Sequence, residues 1–284
     1  MTTKEIRTKA WNLLWNEHYL GKLFFAATAL HLLSNLIKGL IEATLSWLGV
    51  ATLKETLNNF QRDGLPLLGD FFMEYSVMVA MIIFFGLLMT GITNYGTSKI
   101  LNNTADNDPT NFYNHAFAGF KVPFEALSLQ FVLTLISFLI ALICALPALV
   151  VILSKRWPYL PSLLDTNSQL SIYAMALLII LILALSIPFY RYRYTFRVKA
   201  DHPDWTAWKC LRHASFLSSG NIWHIIKLDL SYFKVFLIPL FVILIPIGNL
   251  SIIICTIIMT IVTLYNGVGQ SILYREISNK KPIA

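Results

Sequence analysis

The long apolar runs of this chain constrain its fold more than any other feature. The twenty residues before Phe189 carry no charge, and comparable runs recur from end to end. A transmembrane helix needs about 20 mainly apolar residues. Only structures that satisfy their own backbone hydrogen bonds can face lipid, so each run predicts a helix. Six runs, numbered here from first to sixth, lie at about 23–48, 75–98, 126–153, 169–190, 222–246 and 250–273.

The composition agrees with an all-α, polytopic membrane protein in which residues 1–284 form one membrane domain. Hydrophobic residues make up 56% of the chain and charged residues only 13%, about half of what soluble domains carry. The net charge of +7 would indicate nucleic acid in a soluble protein. Here the basic residues lie between apolar runs, as in cytoplasmic loops. We therefore expect membrane lipids as partners and no nucleic acid.

The basic residues also predict an orientation. Fifteen lysines and arginines lie before the first run, between the second and third, between the fourth and fifth, and after the sixth. Only four, Lys54, Arg62, Lys155 and Arg156, lie in the other loops. Because cytoplasmic loops of membrane proteins are rich in lysine and arginine, both termini are predicted to be cytoplasmic. An even number of helices agrees with this orientation.

A basic and aromatic segment, FYRYRYTFRVKADHPDW, begins at Phe189 directly after the fourth run. We predict a helix that continues out of the bilayer, with tyrosines at the interface and arginines near anionic headgroups. A site for an acidic ligand is the alternative. The residues predicted to contact anionic lipid or a partner are Arg191, Arg193, Arg197, Lys199 and Arg212.

The next segment predicts an amphipathic helix on the cytoplasmic surface over about 203–219. Pro203 suits a first helical position and Gly220 suits a stop. Helical spacing places one set of residues on a single face, namely Trp205, Trp208, Leu211 and Ala214, and another set opposite, namely Lys209, Arg212 and His213. A helix with this division lies in the plane of the membrane interface.

Ionisable residues inside apolar runs are costly and therefore informative. The first run carries a polar stripe with helical spacing, consisting of His31, Asn35, Lys38 and Glu42. Lys38 and Glu42 are four residues apart, so they can pair on one helix face. The stripe is a candidate intramembrane polar site, because a water-filled path or a proton relay would need such a stripe. The sequence favours the other interpretation, in which the helix reaches the outer interface near Lys38 and the lysine extends toward water.

Asp229 is a second intramembrane candidate, about two turns into the fifth run. Lys227 is too close in sequence to share its helix face. Asp229 could bind a cation or carry a proton. The sequence favours a structural pairing, for instance with an arginine of the 191–197 segment, because buried charges are normally paired.

The sixth run carries a softer stripe of small and polar residues, consisting of Thr256, Thr260, Thr263, Gly267, Gln270 and Tyr274. Such residues allow transmembrane helices to approach closely, so the stripe predicts helix packing, with pore lining as the alternative. The second run has a similar face, formed by Gly86, Thr90, Asn94 and Thr97.

No enzyme motif occurs in the chain, neither a nucleophile elbow, a zinc-binding H-E-x-x-H, a phosphate-binding glycine loop nor a dinucleotide fingerprint. The acids and histidines near Asp201 lack any recognised metal-ligand spacing, and favour a helix start with solvated histidines. We therefore expect no catalytic residue, no metal and no cofactor.

Several short segments resemble a known family. They are YRY at Tyr190, ADHPD at Ala200, SFLSSGN at Ser215, LDLSYF at Leu228 and YNGVGQSILYREI at Tyr265, with FAGF at Phe117. The chain resembles the bacterial integral membrane family called domain of unknown function 975, from which it departs in the NGVG of its ending. The resemblance implies a six-helix protein of the bacterial cytoplasmic membrane, and implies no established activity.

Two functional hypotheses follow. The first is a non-enzymatic membrane component that interacts with other membrane proteins or lipids, or forms a homo-oligomer. The second is a small secondary transporter with a polar path through the first, fifth and sixth runs, in which Asp229 and the Lys38 stripe act near the midplane.

Overall fold

A computed structural model describes residues 1–15, 17–63, 68–108, 111–156, 187, 189–243 and 249–281. This part of the chain contains helices and no strand, which confirms the all-α prediction. The helices are α1 (Thr3–Trp15), α2 (Tyr19–Asp63), α3 (Leu68–Ala105), α4 (Phe112–Ala116), α5 (Pro123–Arg156), α6 (Thr195–Asp201), α7 (Ala207–Ser218), α8 (Ile222–Ile243) and α9 (Asn249–Lys280). A short 3₁₀ helix at Phe117–Lys121 precedes α5.

Among the described residues, four segments are long and apolar enough to cross a membrane: Tyr19–Thr44, Ser76–Ala105, Pro123–Leu142 and Ile253–Lys280. Large apolar side chains on them point outward, among them Leu32, Ile83 and Phe138, which are 65%, 56% and 61% exposed. A surface of this kind suits lipid, which is as apolar as the side chains. These helices are compatible with a membrane protein.

The helices extend beyond the apolar runs that predicted them. The first three runs lie within α2, α3 and α5, each of which is at least 34 residues long. The sixth run, predicted to end at 273, continues to Lys280 in α9. Helical hydrogen bonding can continue into water, so hydropathy marks the membrane part of a helix and not its ends. The fourth run, 169–190, lies outside the described residues except for 187, 189 and 190.

The sequence did not single out α1 as a helix. Its start is fixed by a capping box, in which the backbone N–H of Thr2 donates to the Glu5 carboxylate at 2.9 Å and the backbone N–H of Glu5 donates to the Thr2 hydroxyl at 3.3 Å. The helix buries an apolar face composed of Ile6, Ala10, Leu13 and Leu14. The Met1 amino group pairs with Glu276 near the end of α9. Both termini therefore lie at one end of the helix bundle, called here the termini end.

Glycines set the closest helix contacts. A Cβ on Gly96 of α3 would lie 1.9 Å from the backbone oxygen of Ala116, and one on Gly91 would lie 2.5 Å from that of Ala126. Neither position has room for a side chain. These contacts hold α3 tightly against α4 and α5, in the way that small residues allow in membranes.

The segment after the fourth run is more irregular than the sequence predicts. A turn at 192–194 interrupts the expected continuous helix, and α6 begins at Thr195. α7 begins at Ala207, four residues after the predicted start at Pro203, because the Thr206 side chain accepts from the backbone N–H of Lys209 and caps the helix there. At its other end Gly220 has a φ of +80°, as expected of a helix stop.

Candidate functional site

The first polar group at the termini end is the Asp229 cluster, which consists of Arg193, Tyr194, Asp229, Asn266 and Gln270. The Arg193 guanidinium holds both carboxylate oxygens of Asp229, at 2.8 and 2.9 Å. The side-chain amides of Asn266 and Gln270 donate to the same carboxylate at 3.2 and 2.8 Å. The structure thus forms the pairing with the 191–197 segment that the sequence favoured for Asp229.

Tyr194 orients the amide of Gln270 within this cluster. Its ring is fully buried, and its hydroxyl donates to Gln270 Oε1 at 3.0 Å. Because Oε1 accepts from the tyrosine, Nε2 is left to donate to Asp229. Burial raises the pKa of Tyr194, although Arg197 and Arg193 act in the opposite direction. The hydroxyl therefore stays protonated at neutral pH and remains a donor.

The second polar group is the Asp201 cluster, which consists of Asn102, Asp106, Asp201, Tyr274 and Arg275. Asp201, the last residue of α6, accepts from the Arg275 guanidinium at 2.5 and 3.1 Å, from the Tyr274 hydroxyl at 2.7 Å and from the Asn102 amide at 3.1 Å. Arg275 also binds Asp106 at 2.8 and 2.5 Å. One arginine thereby joins α9 to α6 and to the end of α3.

Arg197 lies between the two clusters and is 9% exposed. Its guanidinium donates to the Ser271 hydroxyl and, at 3.2 Å, to the backbone oxygen of Gly267. The Ser271 hydroxyl donates in turn to Asn102 Oδ1 at 3.3 Å, which connects Arg197 to the Asp201 cluster. Burial lowers the pKa of Arg197 to about 10, so the side chain remains charged at neutral pH.

Two lysines bind backbone oxygens of α6 and the loop that follows it. Lys199, 1% exposed, donates to the oxygens of Pro203 and Trp205 at 2.6 and 2.7 Å. Lys99 of α3 donates to the Ala200 oxygen at 2.7 Å. Cations are favourable at helix C-termini, where carbonyl groups lack helical partners. Both lysines therefore stabilise the end of α6.

The structure divides the five residues predicted to contact anionic lipid or a partner. Arg191 and Arg212 are exposed. Arg193 is one-third exposed and paired with Asp229. Arg197 and Lys199 instead turn into the protein and bind it from inside. Contact with lipid or a partner therefore fits Arg191 and Arg212 and does not fit Arg197 and Lys199.

The polar stripe of the first run does not form one connected group. Lys38 donates to the Thr90 hydroxyl of α3 at 2.9 Å, where the sequence had suggested Glu42 as its partner. His31, Asn35 and Glu42 are exposed. The stripe thus meets α3 at Lys38, and within the described part of the chain no hydrogen bond joins it to Asp229.

In the predicted stripe of the sixth run, only the C-terminal half packs closely against other helices among the described residues. Gln270 and Tyr274 are 1% exposed and belong to the two clusters. A Cβ at Gly267 would lie 2.9 Å from the Leu101 side chain. The glycine therefore allows α3 to pack closely against α9. Thr256 and Thr263 are exposed, and the Thr260 hydroxyl donates to the backbone oxygen of Thr256 at 2.9 Å. Close packing thus begins near Gly267.

Sequence reasoning missed Asn102, Asp106, Ser271 and Arg275. A polar side chain at the boundary of an apolar run reads as an ordinary interfacial residue, and only the fold shows that these four meet. One sequence signal was available, namely two rows of residues at intervals of four that share helix faces. The rows are Asn266, Gln270 and Tyr274, and Gly267, Ser271 and Arg275.

Comparisons with known proteins gave no relative: no family model, no curated protein and no solved structure matches the chain. The resemblance to domain of unknown function 975 stays a prediction, and the segments that carry it contain most of the cluster residues, among them Asp201, Asp229, Asn266 and Arg275. The resemblance and the polar network thus involve the same parts of the chain.

Proposed function

We propose that the protein is a non-enzymatic component of the bacterial cytoplasmic membrane, with six transmembrane helices and both termini in the cytoplasm, that interacts with other membrane proteins or lipids. The observation that carries the proposal is the internal pairing of Asp229 and Asp201 by Arg193 and Arg275. A carboxylate that exchanges ions or protons needs access to them. These two are instead held by two or more donors each, as in a structural network.

The exposed surface at the termini end supports an interacting role. Trp208 of α7 and Trp223 of α8 are 74% and 71% exposed, and Phe216 is 47% exposed. Arg212 is exposed on the same helix as Trp208. Tryptophan and arginine are enriched in protein interfaces, and both also suit the lipid headgroup region. We propose α7 and the start of α8 as the contact surface.

A small secondary transporter is the second candidate, because polar side chains also meet within the membrane segments. Lys38 bonds to Thr90, and the Asn94 amide donates to Gln130 Oε1 at 3.0 Å between α3 and α5. These contacts lie along α2, α3 and α5, whereas Asp229 is paired near α9. The predicted path through the first, fifth and sixth runs would therefore have to connect these contacts with Asp229.

The substitution Asp229→Asn separates the two functions. If the network is structural, the amide loses the ionic pairing with Arg193, and the membrane abundance of the full-length protein falls together with any co-purifying partner. Abundance is measured by quantitative immunoblotting and partners by native mass spectrometry after gentle extraction. The matched control is Asp204→Asn, an exposed acid in the loop before α7, which is expected to behave as wild type.

The transporter is favoured instead if Asp229→Asn stays abundant and releases a discrete small molecule that the wild-type protein retains. Wild-type abundance with unchanged partners would show that neither role depends on Asp229.

A further inference from the structure

A cleft of about 540 Å³ lies between α1, α8 and α9 at the termini end. Seven residues line it, namely Thr3, Lys4, Arg7, Thr8, Trp11, Ser231 and Tyr265. The α1 residues follow at helical spacing and form one face, beside the face that the helix buries. The volume falls within the range typical of small-molecule sites.

The lining of the cleft is cationic. Lys4 and Arg7 contribute two positive charges, and the seven lining residues include no carboxylate. The Arg7 Nε is buried and has no hydrogen-bond partner. The two positive charges, with no acid beside them in the lining, favour a ligand that brings anionic acceptor oxygens. Three hydroxyl side chains, Thr3, Thr8 and Ser231, complete a polar rim suited to a phosphate group.

Contacts within the protein fix the position of Arg7. Its backbone oxygen accepts from the Tyr265 hydroxyl at 3.2 Å, and its guanidinium lies over the Tyr232 ring, 5.5 Å from the centroid. Glu5, the acid of α1, is occupied in the capping box with Thr2. Among the described residues no carboxylate forms an ion pair with the Arg7 guanidinium.

The aromatic surroundings of the cleft suit the headgroup region of a bilayer. Trp11 and Trp15 stand beside the cleft with ring centroids 5.1 Å apart, and both are more than 40% exposed. Exposed tryptophans of this kind occupy the membrane interface.

We propose that this cleft binds the phosphate headgroup of an anionic phospholipid, held by Lys4 and Arg7, with the acyl chains in the surrounding bilayer. The assignment deepens the proposed function and rests on it, since it names a lipid partner for a non-enzymatic membrane component. Free phosphate shares the same chemistry. The cleft favours the lipid because apolar and aromatic surface adjoins the charges.

The test measures lipid binding to the purified full-length protein by native mass spectrometry in a neutral detergent. Phosphatidylglycerol is titrated against phosphatidylcholine, and inorganic phosphate is added in a separate series. The wild-type protein is expected to bind phosphatidylglycerol in preference to phosphatidylcholine. Lys4→Gln and Arg7→Gln are each expected to weaken that binding about tenfold, as the loss of one charged hydrogen bond predicts.

The matched control is Lys9→Gln, which removes the same charge from the exposed surface of α1 but not from the cleft. It is expected to bind as wild type. Because Arg7 also contacts Tyr232, thermal unfolding checks whether Arg7→Gln has a folding defect. Lys4 is exposed, so Lys4→Gln tests the lipid site independently of such a defect.

The lipid site is overturned if Lys4→Gln binds phosphatidylglycerol like the Lys9→Gln control, if both lipids bind equally, or if millimolar phosphate displaces the lipid fully and so shows that the acyl chains contribute nothing. Because the readout is lipid binding alone, these outcomes leave the co-purification of protein partners, and hence the proposed function, to be judged separately.

Discussion

At the scale of single residues, the termini end holds its charges inside the protein. Arg197 and Lys199 are almost fully buried and donate to a hydroxyl group and to backbone oxygens. A buried charge costs free energy unless hydrogen bonds replace its water. Neutralising either side chain would leave oxygens in the interior without their donors, so these residues stabilise the fold from within.

Cys210 of α7 provides a prediction at the same scale. Its side chain is fully buried, and burial raises the pKa of the thiol to about 11, although Lys199 and Lys209 act in the opposite direction. At pH 7.5 roughly one thiol in three thousand is ionised, and the thiolate is the reactive form. We expect Cys210, as the sole cysteine of a Cys144→Ser and Cys255→Ser variant, to resist a membrane-permeant maleimide until the protein is unfolded.

The control for this labelling is Ser219→Cys with Cys210→Ser in the same background, because Ser219 is exposed at the end of α7. That thiol is expected to react within the first minutes. Equal labelling of both variants would mean that α7 does not turn its Cys210 face inward.

Residue partners were only partly predictable from the sequence. The pairing of Asp229 with the 191–197 segment follows from the rule that buried charges need partners. The inward position of Arg197 and Lys199 does not follow, because an alternating basic and aromatic pattern fits a lipid-facing segment equally well. The inward position of Arg197 and Lys199 is determined by the turn at 192–194 and by the approach of α3 and α9. The polar residues of these two helices are far away in the sequence.

At the scale of the helices, small residues decide how closely α3 packs. Gly96→Ala would place a methyl group 1.9 Å from the backbone oxygen of Ala116 and 2.9 Å from the Leu30 side chain. Because moving the backbone to relieve this clash costs free energy, we expect the free energy of unfolding to fall by about 1–3 kcal/mol. The measurement is thermal unfolding of the purified protein in detergent.

Gly86→Ala on the same helix is the matched control. A Cβ there would meet nothing within 4 Å, and alanine is the better helix former by about 0.5–1 kcal/mol. The control is therefore expected to be neutral or slightly more stable. If both substitutions had the same effect, the close contact between α3 and α4 would not exist in the protein.

The existence of the helices was predictable, whereas their ends were not. Hydropathy located α2, α3, α5, α8 and α9, because twenty apolar residues admit few other structures. It did not show α1, whose thirteen residues are amphipathic and too short for a span, although the Thr2–Glu5 capping box is legible in the sequence. The helix-start signal of Pro203 placed the start of α7 too early, since the choice between Pro203 and Thr206 depends on a single hydrogen bond.

At the scale of the whole molecule, the chain has two different halves. Toward the termini end, α1, α6, α7 and the last turns of α9 pack around buried tyrosines and paired charges, as in a soluble core. Along the apolar segments the side chains face outward and the helices meet through glycines. This division suits a protein that sits in a bilayer and presents a rigid, folded surface on one side of it.

The last prediction concerns the side of the membrane on which the termini end lies. The Met1 amino group pairs with Glu276, so the two termini share one end, and the excess of lysine and arginine at the loops of that end predicts that it is cytoplasmic. In intact cells, cysteines added at either terminus of a variant free of native cysteines should resist a membrane-impermeant maleimide. Asn59→Cys, between the first and second runs and so predicted to lie outside, should react. Labelling of the termini and not of Asn59→Cys would reverse the orientation, and labelling of one terminus alone would require an odd number of spans, which the Met1–Glu276 pair does not allow.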